Sequence, residues 1–271
     1  GDHRDRHSFP TRRSSDLEQH AVEFMRAYYG EGSSGLVDVY RALQRQARAW
    51  QRTWDRVVSR VRGPGYGNSD GKGIGTARHD LVLEPPPLPS ESTLAFQPRF
   101  ATRYKPWIAE AASLNLQNDQ LVHSLHQSML DVRRNRYSLE VFLALARFAG
   151  HHWHLLLSLS AAEKDLSAAS AAAAGNRPAE AVGHLVAAHN RVAAAEQDGL
   201  STFRALVATF ETSQYPKGRE VDGRRFVHVL DDTKDHWADR TPDLGYMFAP
   251  ERSIGLARWR AGLSRITSAY A

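Results

Sequence analysis

Between Leu36 and Val61 the apolar positions Leu36, Tyr40, Leu43, Ala47, Trp50, Trp54, Val57 and Val61 recur in alternating steps of four and three. A helix lying nearly parallel to its neighbours satisfies that period; a strand, whose period is two, does not. Arg41, Arg45, Arg48, Arg52 and Arg56 fall on another face, which reads as its solvated side. The same texture returns in Tyr104, Trp107, Ala111, Leu114, Asn118, Leu121, Leu125, Ser128 and Val132. It breaks at "RNRYS" and restarts through Leu139, Phe142, Ala146, Ala149, Trp153, Leu156 and Ser160. Gly175-Asn176-Arg177-Pro178 reads as a helix stop followed by a helix start, with glycine near the C-cap and proline in a first turn. The next seam is Val182, Leu185, His189, Val192, Glu196, Gly199, Phe203, Leu206 and Phe210. Short connections between long helices force antiparallel neighbours. The expected fold is therefore all-α, an elongated up-down bundle built from residues 36–62 and 104–213, preceded by a short helical segment, Glu18–Gly30.

Two stretches depart from that texture. From Gly63 to about residue 100 the chain runs through "GPGYGNSDGKGIGTARHD" and "LEPPPLPSES", a long Gly/Pro-rich excursion with no helical period. Loops of that length are uncommon inside compact domains unless they serve a function. After residue 213, "YPKGREVDG" breaks helicity and "RRFVHVL" alternates like a brief strand, giving a short irregular or β segment near 219–230. Pro250 then opens a last helix through Trp259, Leu263, Ile266 and Tyr270, packed on the bundle.

Composition excludes several classes of function. The 271 residues are 24% charged and 42% hydrophobic, ordinary values for a globular chain. A net charge of +5, scattered along the sequence, is too small to argue for a nucleic-acid partner. No apolar run approaches the roughly 20 residues of a membrane span, so no membrane partner is expected either. With no cysteine, disulfides and thiolate metal sites are excluded.

The glycine-rich loop invites a phosphate-cradle reading, which its spacing rejects. A Walker loop would need glycine at 66 and a hydroxyl at 73, where Tyr66 and Gly73 stand. The dinucleotide fingerprint would need a third glycine at Asp70, and no strand precedes it. What remains is backbone able to approach another surface closely. Two readings stay open: an exposed loop, or a segment docking on a neighbouring domain through Tyr66, Asn68, Asp70, Lys72, Arg78 and His79.

"HHWH", His151 to His154, raises the question of a metal. His151 and His154 share a helical face with Arg147, while Trp153 turns into the seam. Two imidazoles at that spacing can chelate, but a site needs a third ligand and supporting partners. None is identifiable nearby in the sequence, and a cationic Arg147 opposes a divalent ion. Polar face packing is the expectation, with no metal and no cofactor.

"LDDTKDHWADRTPD", Leu230 to Asp243, is the densest acidic stretch. If helical, it places Asp232, Asp235, His236 and Asp239 on one side. An EF-hand fails, because Thr233 and His236 stand where a ligand and the turn glycine belong, and no glutamate closes the loop. Capping and salt bridges with Arg240, Arg224 and Lys234 are one reading. The other is the rim of a sugar site formed by Asp231, Asp232, Asp235, His236, Trp237, Asp239 and Arg240, with Trp237 stacking on a ring.

Taken together, "FMRAYYG", "RGPGYGNSDGKGIGTARHD", "RNRYSLEVFLALARFAGHHW" and "YPKGREVDGRRFVHVLDDTKDHWADRTPDLGYMFAPERSIGLARW" resemble the C-terminal helical region of bacterial family-20-type glycoside hydrolases, β-N-acetylhexosaminidase-like enzymes. The resemblance implies a catalytic (β/α)₈ barrel elsewhere in the polypeptide, an adjacent Asp-Glu pair working with the substrate's acetamido group, and a periplasmic or secreted setting. This chain contains no Asp-Glu dipeptide and no barrel pattern, so no catalytic residue is carried over. "HSFPTRRSSDL", residues 7–17, is moreover similar to a translated short-read sequencing adapter, so 1–17 is expected to be non-native. The resulting expectation is a fragment of a glycoside hydrolase: a non-catalytic accessory module that braces the missing N-terminal barrel and touches carbohydrate at most at its rim. The alternative is a self-sufficient helical binding or scaffold protein.

Overall fold

A computed structural model describes residues 14–51, 83–212 and 255–271, with short pieces at 220–221, 223–225, 236–237 and 247–248. Its helices are α1 (Ser14–Tyr29), α2 (Leu36–Gln51), α3 (Phe100–Arg103), α4 (Lys105–Asp131), α5 (Arg136–Ala174), α6 (Pro178–Glu211) and α7 (Leu256–Tyr270). Two minimal antiparallel ladders accompany them: β1 (Glu220–Val221) with β2 (Arg224–Arg225), and β3 (His236–Trp237) with β4 (Met247–Phe248). The chain is an all-α helical bundle, and among its described residues no helix is long and apolar enough to cross a membrane.

The turn expected at Gly175 forms. Gly175 N–H donates to the Ala171 carbonyl at 3.0 Å and Arg177 N–H to that of Ala172 at 2.9 Å, closing α5. Asn176 takes the left-handed conformation, and Pro178, which lacks an N–H, starts α6 where that donor would go unused. The 39-residue α5 and the 34-residue α6 thus run antiparallel. Where they meet, buried alanines predominate: Ala162, Ala169 and Ala172 on α5, and Ala181, Ala188 and Ala195 on α6. Leu159, Leu166, Leu185 and Val192 fill the space between them. The expected α6 seam is buried at Leu185, Val192, Glu196, Phe203 and Leu206; at the expected Val182 and His189, which are only half-buried, the neighbouring Ala181 and Ala188 are buried instead. Small side chains among the larger ones let the two backbones approach.

The bundle's other end is organised around Tyr29. Its carbonyl accepts the N–H groups of Arg133 and Arg134 at 3.1 Å, and its hydroxyl pairs with that of Tyr40 at 2.7 Å. Burial and then the Tyr40 hydrogen bond push the phenol far above the usual tyrosine range. Gly32, at φ +88°, leaves room for the Asp131 backbone, which any Cβ there would strike. Met25, Leu36 and Val39 join Leu121, Leu125 and Leu139 in the core at this end. Helix α1 begins at Ser14, inside the segment expected to be foreign, and α5 begins at Arg136, before the expected Leu139.

Residues 52–82 lie outside the described residues, the end of the expected 36–62 helix and the first part of the 63–100 excursion among them, and 83–99 is helix-free as expected. It is nonetheless part of the core. Leu83, Pro86 and Pro89 are buried in succession, every third residue, as the three-residue period of a polyproline helix requires. Trp259 of α7 donates to the Pro86 carbonyl at 2.6 Å, and a Cβ at Gly262 would sit 2.6 Å from Leu88. The Tyr104 hydroxyl accepts the Glu84 N–H at 2.9 Å. The strap ends on Glu163 of α5. That buried carboxylate accepts Arg99 and Phe100 N–H at 2.6 Å and Ala101 N–H at 2.7 Å, satisfying the donors at the start of α3.

Three further buried polar side chains, Gln46, Asn118 and Glu196, make four hydrogen bonds between helices. Gln46 of α2 donates to the Leu114 carbonyl of α4 at 3.1 Å and accepts Trp153 Nε1–H of α5 at 2.9 Å. Asn118 of α4 donates to the Ala146 carbonyl at 2.8 Å. Glu196 of α6 accepts from Arg260 of α7 at 2.7 Å.

Replacing Glu163 by Ala orphans three N–H groups and should cost about 3–5 kcal/mol in urea unfolding. Gly150→Ala puts a methyl into the Asn118 carboxamide and should cost about 1–3 kcal/mol. Combining it with Asn118→Ala should give a total below the sum of the two single changes, measured as a double-mutant cycle.

Candidate functional site

The residues expected at a docking loop, Tyr66, Asn68, Asp70, Lys72, Arg78 and His79, lie outside the described residues, as do Asp231, Asp232, Asp235, Asp239 and Arg240 of the expected substrate rim. Only the backbone of His236 and Trp237 is placed, in β3 opposite Phe248 and Met247. This corrects the helical arrangement considered for the acidic stretch at those two positions. The sequence that follows contains Pro242 and Gly245, which interrupt a helix and favour a return to antiparallel pairing.

The cluster that does assemble is centred on "GHHWH". At about 100° per residue, successive side chains of α5 meet different surroundings. Gly150 faces the Asn118 carboxamide of α4. His152 is fully buried; its Nδ1–H donates to the Phe148 carbonyl at 2.8 Å and its ring meets Phe148 edge-on at 4.9 Å. Trp153 reaches Gln46 of α2. His151 and His154, one turn apart, both look toward α6 and Asp198.

His151 Nδ1 lies 3.0 Å from Asp198 Oδ2, and His154 Nδ1 lies 3.8 Å from the same oxygen. The His151 side chain is 1% exposed, whereas those of His154 and Asp198 are 50% and 55% exposed. One wall of the cluster is thus dry and the other open to water. Arg147, expected to oppose a cation on this face, instead places Nη2 3.0 Å from His126 Nε2 on α4. One ligand atom from each of His151, His154 and Asp198 lies within 4.8 Å of the other two. Two nitrogens and an oxygen form a donor set of the kind a transition-metal ion takes, with its His154–Asp198 side open to water.

Sequence reasoning singled out both histidines and missed Asp198. A usable signal existed: in an antiparallel hairpin, residues roughly equidistant from the turn face each other, and His151 and Asp198 are so placed about Gly175. Compared with protein-family models, with curated proteins and with solved structures, the chain matches none.

The Phe148 carbonyl can only accept, so His152 must be the Nδ1–H tautomer. Nitrogen NMR should show that tautomer with a slowly exchanging ring proton; a neutral Nε2–H form would contradict this packing.

Proposed function

We propose that this chain is a non-catalytic helical accessory module of a β-N-acetylhexosaminidase-like glycoside hydrolase, bracing a catalytic barrel of the same polypeptide. The observation that carries the reading is the use made of the buried carboxylates. Hydrolysis of a glycosidic bond calls on a carboxyl free to exchange a proton or to face the substrate. Glu163 is saturated by three backbone N–H groups, and Glu196 is tied to Arg260. Both join elements of the bundle, a structural rather than chemical role.

The sugar-hydrolase part of the reading rests on the sequence resemblance. A bracing role is supported by the outer face of α1. There Phe24 and Tyr28, 54% and 38% exposed, stack at 5.6 Å and present an apolar surface to a neighbouring domain.

Purified alone, the chain should release no more chromophore from a chromogenic N-acetylglucosaminide than the protein-free control. Recovery of the uninterrupted gene should reveal upstream coding sequence with an Asp-Glu-bearing barrel. Turnover by the chain itself, or a start codon next to Glu18 with no coding sequence ahead, would overturn the reading.

A further inference from the structure

We infer that His151, His154 and Asp198 form a binding site for a divalent transition-metal ion of the zinc class, clamping α5 to α6. The inference stands on donor chemistry, geometry and surroundings, independently of the accessory role.

Imidazole nitrogen and carboxylate oxygen together suit zinc, cobalt, nickel and copper; calcium and magnesium prefer oxygen alone. Bonds of about 2.0–2.1 Å in a tetrahedron separate neighbouring donors by roughly 3.3 Å. The two donor distances to Asp198 Oδ2, 3.0 and 3.8 Å, bracket that value. All three donor atoms lie within 4.8 Å of one another, and the half-exposed side chain of His154 is the one able to move to close the set.

His151 supplies the fixed corner of the site, because its side chain is buried and already aimed at Asp198. Without metal, the 3.0 Å contact is a hydrogen bond in which Nδ1–H donates to the carboxylate. On binding, the ion takes that proton's place, the ring keeps its single N–H on Nε2 and so stays a neutral imidazole, and Nδ1 and Oδ2 become ligands. His152 takes no part, since its Nδ1–H is engaged by the Phe148 carbonyl inside the core. The guanidinium of Arg147, on the same face of α5, is held by His126 of α4, with Nη2 3.0 Å from Nε2. Of the four coordination positions, the outermost remains for water, as in three-ligand zinc sites.

The test uses the tag-free full chain, titrated with zinc chloride by calorimetry and thermal unfolding, with cobalt(II) as a spectroscopic probe. One zinc ion per chain should bind, and the melting temperature should rise by roughly 5–10 °C at about a hundredfold excess over Kd. Magnesium and calcium should produce no such rise. His154→Ala and Asp198→Ala alter exposed side chains, and their helical circular dichroism should match the parent. Each should weaken zinc binding at least tenfold and abolish the tetrahedral cobalt absorption. The chain has 13 histidines, so scattered surface binding is the competing outcome. Zinc affinity unchanged in either variant, absence of binding to the parent at millimolar zinc, or an equal response to magnesium would each overturn the site.

Discussion

Close approach of α5 and α6 sets the geometry from which the other contacts follow. Alanine at Ala162, Ala169 and Ala172 on α5 and at Ala181, Ala188 and Ala195 on α6, all fully buried, leaves the two backbones room to approach closely. Dispersion attraction between well-packed chains is individually small and accumulates along such a long interface. The tight hairpin turn then fixes the register, so His151 meets Asp198, Phe148 meets Phe203 and Asp165 meets Arg191. Helix α7 and the proline strap lean on this pair, and α4 and α2 close its other side.

Apolar packing alone tolerates sliding and rotation, and the buried polar groups remove that freedom. Gln46 joins α2, α4 and α5 through two hydrogen bonds with defined directions. Asn118 finds its carbonyl only where Gly150 admits it. Glu163 holds the end of the strap, and Glu196 holds α7 through Arg260. Each such group is costly to bury and is stable only when matched, so wrong alignments of the bundle are penalised. The histidine–aspartate cluster differs: one side is anchored and dry, the other open, an arrangement suited to capturing an ion from solution.

Particular residues show where sequence reading succeeds. Gly175 and Pro178 announce a turn because their backbone restrictions are local, and the turn formed where it was expected. Leu121, Leu125, Leu139, Trp153, Leu185 and Leu206 lie on helical seams and are buried. On α6 the buried Ala181 and Ala188 were missed beside the expected Val182 and His189, because alanine counts for little in a hydrophobic pattern. The strap at 83–99 has no period that signals burial to a helix or strand template. Its three-residue repeat becomes meaningful once Trp259 and Leu88 find their partners.

Helix content, the hairpin and the polar faces were determined by the sequence itself, since periodicity and turn chemistry act over a few residues. Tertiary structure alone decided that Asp198 joins His151 and His154, that Arg147 turns to His126, and that Glu163 receives the end of a proline strap. Those outcomes depend on how far each helix is rotated against its neighbours. That rotation is chosen by the summed packing of both surfaces, which no short window of residues contains.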